Sequence, residues 1–305
     1  MLPLTTSSPY LIDGTLAPTR APSRAVTLSV IVPAYNASGF IERSTRELVD
    51  ALERLGERLG VSWEVIVVDD GSDDATSDAV IKHPQVFATR LARNAGKGAA
   101  VRAGMLAASG EVRIFTDADL PYGTASFPYV LDYIQRRGFH AVIGDRVLPG
   151  SEYGHATILR RLVSAVASFL FRTLVTGGMY DTQCGFKALR GDVADALFPL
   201  LTIDRFAFDV EIIYLLLKYN LDIKRIPVRQ RCESPSTVHV VRDTARAIAD
   251  ILKLRWNWMR RRYTSPAMSS IYLADVPGSS AHDTGAGSRS ATIHASASSN
   301  YGPHG

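Results

Sequence analysis

"WEVIVVDDGS", Trp63 to Ser72, begins with a run of six residues, all apolar but Glu64, and closes on two aspartates, a glycine and a serine. A short β-branched run without strict polar alternation reads as a strand covered on both faces, and the Asp-Gly-Ser cluster ends it. The neighbouring stretches repeat the theme. "VTLSVIVPAYN" (26–36) is a β-branched run closed by proline and asparagine, followed by apolar positions at helical spacing from Gly39 to Leu59. A second helix is predicted near Ala75 to Lys82, then a strand in "VFATRLARN", a helix in "GKGAAVRAGMLAAS" and a fourth strand in "EVRIFTDAD". Strand and helix alternating in this way predict an α/β fold, a mostly parallel Rossmann-like sheet with helices on both faces. The polar clusters "PAYN", "DDGS", "ARNAGKG" and "DAD" all fall at the carboxyl ends of strands, the edge at which such sheets bind ligands.

Asp117 and Asp119 sit one residue apart where the fourth strand ends. In extended chain, residues i and i+2 point to one side, so both carboxylates can face one ligand. Two such charges repel unless a cation intervenes, and a divalent ion carrying a diphosphate suits hard oxygen ligands. Alone, so short a pattern reads first as a solvated turn. Asp69 and Asp70 before Gly71 can accept hydrogen bonds from a nucleobase or ribose, while Asp73 suits a helix cap. Asn94 to Gly98, "NAGKG", opens a helix with small residues and a lysine, as close phosphate approach requires. The P-loop spacing is missing, and no GxGxxG follows the first strand, which argues against a dinucleotide-binding oxidoreductase.

Taken together, "VIVPAYN", "VVDDGSDDAT", "RNAGKGAAVRAG" and "TDADL" resemble, in order and spacing, the family 2 glycosyltransferases of GT-A fold, over about residues 26 to 125. Many members carry an acidic residue after the asparagine of the first motif, where this chain has Ala37. The second half, with "GDR" at 144–146, Arg160, Arg161 and Ser164, "DTQCGFK" at 181–187 and "FAFDVEIIYL" at 206–215, looks like the polyprenyl-phosphate branch of that family. Those last two stretches read closer to its glucosyltransferases than to its mannose synthases.

The resemblance implies an inverting hexosyltransferase that needs Mg²⁺ or Mn²⁺. Its donor is a nucleotide diphosphate sugar, UDP-glucose in first place and GDP-mannose as the alternative, and its acceptor is a polyprenyl phosphate. Asp117 and Asp119 would hold the metal and diphosphate. Pro33, Tyr35, Asn36, Asp69, Asp70, Asn94, Lys97, Ala118 and Arg229 would join them in binding the donor. Arg146 and Arg160, with Ser164, would grip the acceptor phosphate, since arginine offers planar, permanently charged donors. Asp181 could orient the acceptor, act as base, or pair with an arginine; Asp209 and Glu211 face a similar choice, with helix capping open to the first. Arg229 and Arg231 match a basic loop that can close over the donor, though Glu233, Ser234 and Pro235 stand where many members have glycine and lysine. Two rival readings keep other outcomes open: a soluble sugar or polysaccharide acceptor, and a non-catalytic nucleotide-sugar binding or scaffold protein.

Composition bounds the rest. The 305 residues, 46% hydrophobic and 21% charged, suit a globular chain with a core that needs no disulfides, and two cysteines, Cys184 and Cys232, make no framework or zinc spacing. Cys184 reads as a small packed residue. Residues 1–25 read as a disordered N-terminal arm, 26–263 as the GT-A domain, and 264–305, rich in Ser, Ala, Gly and His, as a disordered tail. His282, His294 and His304 show no metal spacing. No window reaches the roughly 20 apolar residues of a spanning helix, so a cytoplasmic, peripherally membrane-associated protein is expected, with no nucleic acid partner. Ile158 to Val175 and the last helix, about Val240 to Arg261 with Trp256 and Trp258, suit a contact with the cytosolic membrane face. Lys253, Arg255, Arg260, Arg261 and Arg262 crowd the end of that helix, which fits a phosphate-rich partner or anionic surface as well as a solvated helix end.

Overall fold

The computed structural model describes residues 26–151, 181, 184–205, 207–231 and 252–275. Seven strands form one sheet: β1 (Leu28–Ala34), β2 (Trp63–Asp69), β3 (Val86–Arg90), β4 (Val112–Phe115), β5 (Ala141–Asp145), β6 (Lys187–Arg190) and β7 (Ile223–Pro227), in the order β3-β2-β1-β4-β6-β5-β7. β1 pairs parallel with β2 and β4, β2 with β3, and β5 with β7; among the described residues only β6 runs antiparallel, between β4 and β5. The expected mostly parallel α/β sheet is the one observed.

Period-two alternation sends neighbouring residues of the central strands to opposite faces. Val30, Val32, Val65 and Val67 pack on one side with α1 (Ile41–Leu59) and α3 (Phe127–Leu131). Ile31, Ile66 and Val68 pack on the other with α2 (Lys97–Ala107), α4 (Gly191–Leu197) and α5 (Phe208–Lys218). α1 is amphipathic: Ile41, Ser44, Thr45, Leu48, Val49, Leu52 and Leu55 are its buried stripe. It ends at Gly60, whose left-handed φ of 68° lets its N–H reach the Gly56 carbonyl at 2.8 Å. α2 instead lies close on the sheet through Gly104, where a Cβ would press on Ile31 and Val68.

The structure corrects several expectations. No helix forms near Ala75 to Lys82; the segment is a series of turns held by Ala79 N–H to Ala75 O and Val80 N–H to Ser77 O. Its polar side chains serve other partners: the Thr76 hydroxyl accepts the Ala37 N–H at 2.7 Å, Asp74 accepts the Ser38 N–H at 3.1 Å, and Ser77 donates to Asp69. After α3 the helix passes into a π-turn over Asp132–Arg136, closed by Arg137 N–H to Asp132 O. β6, with its buried Lys187, is a strand that the sequence pattern does not announce. The stretch from 264, read as tail, contains α7 (Pro266–Asp275), preceded by helical residues 252–259, here α6. Met268 and Ile271 of α7 are buried in the same core as α4 and α5, so part of that stretch is folded.

The arm 1–25, the apolar stretch Ile158 to Val175 with Arg160, Arg161 and Ser164, and residues 240–251 lie outside the described residues, as does 276–305 with its histidines. Among the described residues, no helix is long and apolar enough to cross a membrane.

Candidate active site

The strand-end clusters do converge on one edge of the sheet, but most of their side chains are spent on one another. Asp69 is 1% exposed. Its Oδ1 accepts the Ser72 N–H at 2.8 Å and hydroxyl at 2.6 Å, and its Oδ2 accepts the Ser77 hydroxyl. Asp70 accepts the N–H groups of Ala95 at 2.8 Å and Gly96 at 2.9 Å, which ties the loop after β2 to the entrance of α2. Burial raises the Asp70 pKa against the pull of those two N–H groups. Both carboxylates, expected to meet a nucleobase or ribose, thus already bind groups of the surrounding chain, because a buried carboxylate must find partners and the nearby hydroxyls and backbone provide them.

The first motif behaves alike. Pro33 is buried within β1, opposite Val68. Asn36 adopts a left-handed φ of 49°, accepts the Asp73 N–H at 2.9 Å and donates its own N–H to Ser72 Oγ at 2.9 Å. Ala37, the departure from the family pattern, is 1% exposed and faces the interior. Tyr35, at 45% exposure, and Asn94 present their side chains outward at this edge.

The small residues of "NAGKG" also have an internal reason. A Cβ on Gly98 would meet Phe208 and the backbone at 203–204, and one on Gly96 would strike the Asp204 carbonyl, which itself accepts the Ala99 N–H at 3.1 Å. Arg102 fixes that covering segment through the Asp204 carboxylate at 2.6 Å and the Leu201 carbonyl at 2.7 Å. What the motif sends to the cleft is Lys97, whose Nζ is paired with Asp117 Oδ1. Burial alone would lower the Lys97 pKa, but the carboxylates of Asp117 and Asp209 outweigh it and raise it.

β4 ends at Phe115, so Asp117 and Asp119 do not share a side of an extended strand. They share a turn, closed by Leu120 N–H to Asp117 O at 3.0 Å with Leu120 at φ 48°. Ala118 is half-buried between them, and Asp119 is exposed at the tip. The Asp117 carboxylate lies directly over Gly185, where any Cβ would collide with it. Gly185→Ala is expected to push this carboxylate off its seat and lower transfer at least tenfold, with a stability change of about 1 kcal/mol or less, since one flexible side chain can yield. Steady-state kinetics beside a urea melt would check it; full activity would show that the seat is not needed.

Behind Gly185 lies a buried charge cluster. Lys187 Nζ, with its side chain 1% exposed, donates to Asp209 Oδ1 at 2.5 Å and to the Cys184 carbonyl at 2.7 Å. Asp209 therefore answers a buried lysine and caps no helix, and burial raises its pKa against the attraction of Lys187 and Lys97. Glu211 is equally internal, accepting from Thr202 and Ile203 N–H groups and the Tyr263 hydroxyl. The Cys184 thiol is buried and pushed up to about 11, first by burial and then by Asp181, which fits a packed, unreactive residue.

Arg146, just past β5, gives its backbone N–H, Nε and Nη2 to Asp181, each at 2.8 Å. Burial would raise the Asp181 pKa, but Arg146 holds it below the usual carboxylate value. Of the readings open to Asp181, partner of an arginine is the one seen. Tyr122, next to the acidic turn, has its pKa raised, chiefly by burial. A Cβ on Gly144, two residues before Arg146, would meet the Cys184 sulfur, and the adjacent Gly185 lies under Asp117, so the arginine pair and the acidic turn are neighbours. On the far side Arg231 donates its N–H to the Pro121 carbonyl at 2.7 Å and packs its guanidinium over Gly123, while Arg229 is exposed. Sequence reasoning missed Gly185, Lys187 and Tyr122 as parts of this site. A lysine within an otherwise apolar short run was the available signal for Lys187.

Among the described residues no group of three or more His, Cys, Asp or Glu side chains converges as a metal cage. Two carboxylates from one turn, one of them exposed, would fit a divalent ion of the Mg²⁺ or Mn²⁺ kind, which accepts oxygen ligands and keeps waters for its other positions.

Sheet order and edge chemistry together define a class, the GT-A glycosyltransferases, α/β enzymes that move a sugar from a donor held at this edge. The sequence model of glycosyl transferase family 2 matches residues 29–198, more than half of the chain, and the chain belongs to that family. It is 32% identical over 259 residues to a dolichyl-phosphate beta-glucosyltransferase of Dictyostelium discoideum, covering 80% of this chain and 78% of the relative. The Drosophila melanogaster dolichyl-phosphate beta-glucosyltransferase is 35% identical over 245 residues, 72% of each chain. Among solved structures, glucosyl-3-phosphoglycerate synthase from Mycobacterium tuberculosis, in complex with Mn²⁺, UDP and phosphoglyceric acid, superposes with a TM-score of 0.52 at 22% identity, over 75% of this chain and 78% of that one.

Proposed function

We propose that this glycosyltransferase moves glucose from UDP-glucose to a polyprenyl phosphate of the dolichyl type, with inversion, giving a β-linked lipid-phosphate sugar. The names carried by its relatives support glucose as the sugar and dolichyl phosphate as the acceptor. The observation that carries the reading is the juxtaposition of the acidic turn, whose Asp117 pairs with Lys97 over Gly185, with the half-buried Arg146 and its buried partner Asp181.

In this reading Asp117 and Asp119 hold Mg²⁺ or Mn²⁺, which supplies charge compensation for the departing diphosphate. Lys97 stands beside them as a further cation for the diphosphate, and Tyr35, Asn94, Ala118 and Arg229 contribute to the donor cleft whose wall Asn36, Asp69 and Asp70 brace. Arg146, oriented by Asp181, holds the acceptor phosphate together with Arg160 and Ser164. A phosphate oxygen of the acceptor attacks the anomeric carbon as the bond from that carbon to the diphosphate oxygen breaks, and the electron pair leaves on UDP. The acceptor is already anionic near neutral pH, so no general base is required and Asp181 is free to position. Residues 26–275 are the catalytic unit, and it works at a membrane face because its acceptor is a lipid.

The test is incubation with polyprenyl phosphate, labelled UDP-glucose and Mn²⁺. Label should pass into the organic phase as a lipid sugar, and no lipid product with any nucleotide sugar would overturn the reading. Arg146→Lys keeps the charge but not the planar fork, so kcat/KM for the acceptor should fall about 10²-fold while UDP binding is unchanged.

A further inference from the structure

Helix α6 and the turn after it place Leu252, Lys253, Arg255, Trp256, Met259, Arg260, Arg261 and Arg262 on the surface. Leu252, Trp256 and Met259 are 63%, 52% and 69% exposed. At 100° per residue these three fall within about 60° of one another on the helix. Leu254, Asn257 and Trp258 take the opposite side: Leu254 is fully buried, Asn257 hydrogen-bonds Tyr263, and Trp258 meets the edges of Tyr214 and Tyr219. Of the two tryptophans expected at an interface, Trp258 is thus internal and only Trp256 faces out. The helix has two apolar faces, one in the core and one turned directly away from it.

Cations flank the outward stripe on both sides. Lys253 and Arg260 stand on one side of it, with the Arg260 guanidinium 4.3 Å from the centre of the Trp256 ring, and Arg255 stands on the other. From 252 to 274 the chain holds five cations and no carboxylate. A large apolar stripe rimmed by one sign of charge would be a poor solvated helix face, whereas the arrangement matches an anionic lipid surface, with apolar tips among acyl chains and cations at phosphate level.

We propose that the Leu252–Trp256–Met259 stripe and its flanking cations dock this protein on an anionic membrane surface. The inference extends the lipid-acceptor reading given above but stands on residues outside the transfer site. Burial of each stripe side chain contributes about tenfold to partition, and each cation near the surface about fivefold.

The experiment is flotation of the full chain with vesicles of phosphatidylcholine alone and with about one-third phosphatidylserine. The parent should float with the anionic vesicles and much less with the neutral ones. Trp256→Ser/Met259→Ser should lose about 10²-fold in vesicle affinity yet keep the parent's unfolding midpoint, both side chains being exposed. Trp256→Phe should retain binding but lose the quenching of tryptophan fluorescence by brominated lipid. No vesicle binding, equal binding by the double serine variant, or a parent dimer in solution that this variant dissolves would each overturn the proposal. Transfer to a short-chain, water-soluble polyprenyl phosphate should be untouched by the double variant. Failure of that transfer in the parent would sink the acceptor reading, while vesicle binding would still decide the role of the stripe.

Discussion

Asp119→Ala should abolish measurable sugar transfer, lowering kcat/KM by about 10³-fold or more, while the protein stays folded. The size follows from removing one of two carboxylates proposed to hold the metal that stabilises the leaving diphosphate, an effect of several kcal/mol at about 1.4 kcal/mol per factor of ten. Folding should be unaffected because Asp119 is exposed at the tip of its turn, and exposed substitutions usually stay within about 0.5 kcal/mol. Calorimetry of UDP binding with and without Mn²⁺ separates this role from a merely local one: the variant should lose the metal-dependent part of the affinity. Retention of a tenth of the parent's activity would remove Asp119 from the metal site. Asp117→Ala should be a less clean probe, since it also strips Lys97 of its partner.

The largest effect on stability should come from Lys187→Met. Lys187 and Asp209 are both buried and meet at 2.5 Å, so the substitution strands a carboxylate that burial already disfavours in its charged form. Breaking a buried pair from one side costs about 3–5 kcal/mol, whereas replacing both partners is often close to neutral. Urea unfolding of Lys187→Met, Asp209→Asn and the double variant should therefore give strongly non-additive losses, with the double variant recovering a large part of the single loss. Simple additivity would mean that the pair does not interact as the geometry indicates. Because Cys184, Gly185 and Lys187 belong to one short segment under Asp117, the single variant should also lose activity well before it loses secondary structure.

Much of this is legible in the order of residues, and the misses are specific. The runs that form β1, β2, β4 and β5 carry their own burial signal, and the polar ends of the first four strands identify the edge. An extended-chain argument pairs Asp117 with Asp119 as a functional couple, yet the two share a turn, because the strand stops at Phe115. The helix expected near Ala75 to Lys82 does not form because Thr76 and Ser77 bond to Ala37 and Asp69, segments some 8 to 39 residues away. Pattern alone cannot show such partners. α7 escapes a reading by composition because the stretch around it is poor in bulky residues, although Met268 and Ile271 are spaced to bury one face.

By itself the sequence determined the α/β architecture, the edge at which the ligand is handled and the residue types assembled there, since strand runs and the residues that end them are local properties. Only the tertiary structure decided how those residues are used. Asp69 turned out to be satisfied by Ser72 and Ser77 of its own loop and Asp70 by the entrance of α2, while Lys97 reaches Asp117 and Gly185 seats it. Asp181 holds Arg146, and Trp256 and Trp258, two residues apart on one helix, face opposite ways. The physical reason is that a buried polar or apolar group is governed by what packs against it, and for all of these but Asp69 that partner comes from a distant part of the chain.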